Sequence, residues 1–168
     1  MRICSPNRPV NKGELLRSII AHLRATLAAG TTAARATTAA ATDPDSKAEN
    51  KYDTRNLEAS YLARGQAFRV AETMEALGDF ESLTVKTFAP GQPISEGALV
   101  SLHGAEGTLL YFIGPAAGGT EVALDGNAIT VVTPSSPLGA KLMGRRTGDQ
   151  FELNPGRPAS AVSVTAVE

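Results

Sequence analysis

The chain has 168 residues, 42% of them hydrophobic and 20% charged, with 16 basic and 17 acidic side chains. That balance fits a packed chain of one or two small domains, and it excludes a strong net field towards nucleic acid or an anionic membrane. One cysteine, Cys4, and two histidines exclude an intramolecular disulfide and a Cys/His zinc site, and no apolar run reaches the roughly 18 residues of a membrane span. A Rossmann glycine fingerprint and a P-loop are absent as well. The expectation is a cytoplasmic protein with no membrane or small-molecule partner.

Composition changes near residue 79. Before it lie four glycines and, beyond position 9, a single proline; after it lie twelve glycines and seven prolines. Residues 1–78 carry a net charge of +3 and residues 79–168 a net charge of −4. The first part therefore reads as long helices and the second as short strands joined by turns. Three segments are expected: a flexible tail over 1–10, a helical hairpin over 11–78 with its tip at 42–53, and a β-rich domain over 79–168. The basic amino-terminal residues also fit a targeting peptide, but they run on without a break into a helical pattern.

The first helix starts near Asn11. Leu16, Ile20, Leu23 and Leu27 recur at coiled-coil spacing, after which the chain turns almost wholly to Ala and Thr. A low-complexity linker is one reading of that stretch. The near absence of Gly and Pro and the helix propensity of alanine favour a continuing helix with a thin seam. From Ser46 to Leu77 a second helix is expected, with Leu57, Tyr61, Phe68 and Ala71 on one stripe and Leu62, Val70, Met74 and Leu77 on an adjacent one. Two such arms, each reaching roughly 45 Å, make an antiparallel coiled-coil hairpin.

The tip segment contains Asp43, Asp45, Glu49 and Asp53 with Lys47 and Lys51. Carboxylates are the hard oxygen donors that Mg²⁺ takes, and Asp45 and Glu49 share a helix face. The same residues are good caps: Ser46-Lys47-Ala48-Glu49 is a capping box, and Asp43 precedes Pro44. Spacing leaves both readings open.

In the second half, Leu83, Val85 and Phe88 suggest a strand, as do Ala98–Leu102, Thr108–Ile113, Ile129–Val132, Phe151–Leu153 and Ala161–Val167. Ser136 is placed to cap a short helix with Pro137 at its first position, Leu138 and Leu142 on its buried face, and Gly144 at its end. The fold class is α+β, a helical hairpin followed by a small antiparallel sheet with one short helix.

Thr133-Pro134-x-Ser136-Pro137-Leu138-Gly139, then Leu142-x-Gly144, then Gly148-Asp149 resemble the carboxy-terminal signature of the GreA/GreB family of bacterial transcript-cleavage factors. Asp45-x-Lys47 with Tyr52 beyond it is similar to the family's tip segment. The resemblance implies a carboxy-terminal domain of FKBP-like fold that binds bacterial RNA polymerase, with Ser136, Pro137, Leu138 and Gly139 as candidate partner contacts. It also implies a hairpin that enters the polymerase's secondary channel, near the transcript 3′ end and DNA. There the tip acids Asp45, Glu49 and Asp43 would assist RNA hydrolysis, with Asp45 and Glu49 sharing a Mg²⁺ of the polymerase. The chain would hold no cofactor of its own and would be an accessory factor rather than an enzyme.

One departure matters. The family's second tip acid falls where this chain has Ala48, with Glu49 one place further on. Either Glu49 or Asp43 substitutes, or the chain is a secondary-channel regulator that does not promote cleavage. A peptidyl-prolyl isomerase or chaperone is a third reading, resting on the FKBP-like domain, but residues 79–168 hold only five aromatics with which to build a pocket. His22 reads as a surface residue of the first helix, His103 as a turn residue without triad partners, and Arg145-Arg146 as a solvated turn. Tyr52 packs on the first helix or supports the tip.

Overall fold

The computed structural model describes residues 10–42, 54–105, 107–153 and 161–168. The tip residues Asp43, Asp45, Lys47, Ala48, Glu49 and Tyr52, together with Cys4, lie outside them. Helix α1 (Lys12–Thr42) and helix α2 (Thr54–Ser82) precede six strands, β1 (Leu99–Gly104), β2 (Gly107–Ile113), β3 (Glu121–Leu124), β4 (Asn127–Val132), β5 (Gln150–Glu152) and β6 (Ala161–Val167). A short helix, α3 (Pro137–Leu142), lies between β4 and β5. The fold is α+β. No helix among the described residues is long and apolar enough to cross a membrane.

The chain divides into two compact units, Met1–Ile20 with Asp79–Glu168, and Ala21–Gly78. In the first, the strand order is β3-β4-β2-β1-β6-β5. Four pairings are antiparallel; the fifth, β2 with β4, is parallel, with Leu110 opposite Ile129 and Ile113 opposite Val132. The sheet is therefore mostly antiparallel, as the sequence suggested, with one parallel step. The parallel step arises because β3 intervenes: it pairs back on β4 through an Asp125-Gly126 turn with φ of 53° and 80°. Both residues take positive φ there, the geometry a two-residue hairpin turn demands. No strand forms over Leu83–Phe88, although one was expected. Phe88 is buried, but Val85 is exposed; the Lys86 carbonyl accepts from Lys12 of α1, and the Lys86 ammonium donates to the Glu96 carbonyl.

The core of this unit is built from Ile94, Val100, Leu102, Ile113, Leu142 and Val164, all almost fully buried. Phe80, at the end of α2, is fully buried and sits 6.5 Å from Phe112 between ring centroids. A Cβ on Gly114 would approach the Phe80 ring to 2.7 Å, so glycine is what lets the ring lie against β2. Asn11 caps α1, its Oδ1 accepting from the Glu14 amide at 3.1 Å. Val10, assigned to the tail by sequence, is buried. The Lys12 ammonium donates to the carbonyls of Lys86 and Gly97 and lies 4.8 Å from the Phe88 ring centroid.

The second unit is an antiparallel helix pair. Thr37 Oγ1 lies 2.9 Å from Gln66 Oε1, and a Cβ on Gly30 would stand 3.2 Å from the Val70 side chain. The Ala/Thr-rich half of α1 remains helical. Its Thr31, Thr32 and Thr38 hydroxyls donate to the carbonyls four residues back at 2.8–2.9 Å, sharing those acceptors with the backbone ladder. Of the expected α1 stripe, Leu23 is buried and Leu16, Ile20 and Leu27 are half-buried, while Leu15 and Ile19, outside that stripe, are fully buried.

On α2 the expected stripes meet the seam only in part. Val70 and Leu77 of the second stripe are half-buried, but Tyr61, Leu62, Phe68 and Met74 are exposed, and Ala71 with them. The less exposed positions are Ala63, Gln66, Val70, Thr73, Ala76 and Leu77. Where α1 presents mostly Ala and Thr, most of the large apolar residues of α2 stay outside the seam. The seam is thin enough to leave a groove of about 520 Å³ beside Thr31, Ala34, Ala67 and Val70.

Candidate functional site

The segment singled out by sequence, residues 133–149, folds as one linked turn system. Ser136 is the N-cap of α3: its Oγ accepts from the Gly139 amide at 3.0 Å and donates to the Thr133 carbonyl at 2.8 Å. Pro137 occupies the first helical position, where no amide donor is missed. A Cβ on Gly139 would lie 1.9 Å from the Thr133 carbonyl oxygen, so no larger residue fits while that cap is in place. Gly144, with φ of 78°, ends the helix and donates to the Ile94 carbonyl at 2.9 Å.

The charged residues after α3 are occupied in holding loops together. Lys141 Nζ donates to the carbonyls of Glu152 at 3.1 Å and Leu153 at 2.7 Å. Arg145 Nε donates to the Lys141 carbonyl at 2.6 Å, and its guanidinium lies 4.5 Å from the Phe151 ring centroid. Arg146 donates from its side chain to the Gly91 carbonyl at 2.6 Å, while its amide donates to Asp149 Oδ2 at 2.9 Å. The Arg145-Arg146 pair is thus a staple between turns. Gly148 completes the system with φ of 96°, its amide donating to the Val164 carbonyl at 2.8 Å.

Of the four candidate partner contacts, Ser136 and Gly139 are spent on this internal geometry, Gly139 being buried. Pro137 is exposed and Leu138 half-buried, and Ala140 and Met143 are exposed beside them. Chemically, this is a rigid surface of small apolar groups suited to a protein partner. It holds no nucleophile, base or metal donor set.

The three tip acids, Asp43, Asp45 and Glu49, lie outside the described residues, in the connection between Thr42 and Thr54. Among the described residues no group of three His, Cys, Asp or Glu side chains is placed to hold a metal. His22 is exposed on α1. His103 is exposed too, its Nδ1 lying 3.2 Å from Thr108 Oγ1. Burial raises the Tyr111 phenol above its ordinary value and lowers the Lys12 ammonium below its own, the latter offset in part by Glu168. Of the five aromatics of the β-rich unit, Phe80, Phe88 and Phe112 are buried, which leaves Tyr111 and Phe151 at the surface of the core and no aromatic pocket.

No family model and no curated protein matches the chain. Among solved structures it is similar to the GreA factor homolog 1 (Gfh1) protein of Thermus thermophilus, at 21% identity over 92% of this chain and 93% of that one, with a TM-score of 0.36. It is also similar to Thermus aquaticus Gfh1, at 21% identity over 93% of each chain and a TM-score of 0.36. Similarity to a GreA/GreB elongation factor from Nitrosomonas europaea is 17% over 70% of this chain and 94% of that one, with a TM-score of 0.31.

Proposed function

We propose that this chain is a transcription factor of the GreA/GreB type, which binds bacterial RNA polymerase and inserts its helix pair into the secondary channel. The observation that carries the reading is the turn system after β4. Five of the signature residues have a defined structural task here: Ser136 as cap, Pro137 at the first helical turn, Gly139 against Thr133, Gly144 and Gly148 at positive φ. Their joint occurrence in one turn system supports the same docking module.

The second support is charge. The sequence between α1 and α2 carries Asp43, Asp45 and Glu49, and an acidic segment within a basic arm suits a cavity that holds cations. Carboxylates fit Mg²⁺, and a polymerase-bound ion would supply Lewis-acid activation of water at the scissile phosphodiester. The chain's own part is to deliver Asp45 and Glu49, or Asp43, to that place. It acts as an accessory factor in the cytoplasm.

Ala48 favours a second reading, in which the chain occupies the channel and competes without promoting cleavage. RNA cleavage on stalled polymerase complexes decides between the two. Stimulation that is lost in Asp45→Ala and kept in Lys86→Ala supports the first. Binding without stimulation supports the second. A chain that does not associate with polymerase contradicts both.

A further inference from the structure

The outer face of α2 carries a pattern that the helix pair does not use. Tyr61 and Phe68, two turns apart, are 67% and 65% exposed. Arg64, Gly65, Glu72 and Glu75 are exposed as well. At about 100° per residue, these six positions fall within a stripe roughly 100° wide. That stripe lies on the opposite side of α2 from the seam residues Ala63, Gln66, Val70 and Thr73. Arg64 and Glu72 are eight residues apart, beyond the three- or four-residue spacing at which side chains of one helix meet.

This arrangement is self-complementary. Laying a second α2 antiparallel on the first, with Phe68 opposite its own copy, brings Arg64 opposite Glu72 of the second copy, and Glu72 opposite Arg64. The same register sets the Tyr61 hydroxyl opposite the Glu75 carboxylate. At Gly65 there is open space where a Cβ would stand, so the two backbones can approach closely. An isologous contact requires such reciprocal pairing, and an aromatic centre flanked by two opposite-charge pairs is the anatomy of a small protein interface. We propose that this face is a homodimer contact, with a second copy of the chain as its occupant. The inference is independent of any role in transcription.

Sedimentation equilibrium on the full chain, from about 1 to about 500 µM, tests it, a range that spans micromolar association. A monomer–dimer equilibrium is expected that weakens as salt rises. Phe68→Ala should weaken it at least about tenfold, as loss of a central aromatic does. Arg64→Glu and Glu72→Arg should each weaken it by a similar factor, because each places like charges opposite one another. The double variant Arg64→Glu with Glu72→Arg restores both pairs and should return to within about threefold of the native constant. All these positions are exposed, so unchanged helicity by circular dichroism accompanies each result. A chain that stays monomeric throughout overturns the proposal, and so does a dimer indifferent to Phe68→Ala or one that the double reversal fails to restore.

Discussion

The two units bury different things. The sheet unit closes on large side chains: Phe80, Leu15, Ile19, Ile94, Leu102, Ile113 and Ile129 are each at most 1% exposed. The helix pair closes on Gly30, Thr37, Ala63, Gln66, Val70 and Thr73, few of which exclude much water. Buried apolar area stabilises at about 25 cal/mol per Å², so the sheet unit holds itself together, whereas the helix pair depends on close backbone approach and scattered hydrogen bonds. The lesson is one of packing: one unit closes on large apolar side chains, the other mostly on small and polar ones.

The largest expected effect lies in the sheet unit. Phe80→Ala removes a fully buried ring next to Phe112 and Gly114 and should cost about 3–5 kcal/mol, read as a fall in the thermal midpoint. A loss under about 1 kcal/mol would mean that this core is not what sustains the unit. Next comes Gly139→Ala. The new methyl group would collide with the Thr133 carbonyl, and displacing that carbonyl also breaks the Ser136 cap. A loss of about 1–3 kcal/mol is expected, together with loss of amide protection over 136–144.

A smaller effect is expected in the helix pair. Gln66→Ala removes the Thr37 contact and should cost about 0.5–1.5 kcal/mol. Amide exchange should speed up across residues 21–42 and 54–78 while the strands stay protected. Equal acceleration in β1 and β6 would show that the two units open as one and would dissolve the comparison.

The smallest effect concerns Lys12. Its folded pKa is lowered, mainly by burial, below the ordinary 10.5, so between those two values the unfolded chain binds more protons than the folded one. Stability at Lys12 therefore rises as pH climbs towards 10.5. Comparing the native chain with Lys12→Met across that range isolates the contribution. A native-to-variant difference that stays flat with pH would remove it.

Sequence legibility divides along the same line. The α3 turn was readable because Ser-Pro, Gly144 and the spacing of Leu138 and Leu142 each impose local geometry, and β6 was readable from its alternation over Ala161–Val167. The inward face of α2 was not. Periodicity is read from large apolar residues, and here Tyr61, Phe68 and Met74 are exposed, because beyond Leu27 α1 offers mostly Ala and Thr. Strand β3 was missed although Asp125-Gly126 signals a tight hairpin, since its four residues are too short to show a pattern. The parallel β2–β4 step depends on non-local topology, which no local spacing encodes. Tyr61 and Phe68 carry a seven-residue spacing, but that spacing was read as belonging to the seam.

Association of the purified chain with bacterial RNA polymerase, followed by fluorescence anisotropy, tests the proposed role most directly. The account predicts saturable binding in the micromolar range or tighter, abolished when Gly139→Val disrupts the α3 turn and retained in Asp45→Ala. Absence of binding by the native chain at about 100 µM, or binding that survives loss of the turn, would contradict it.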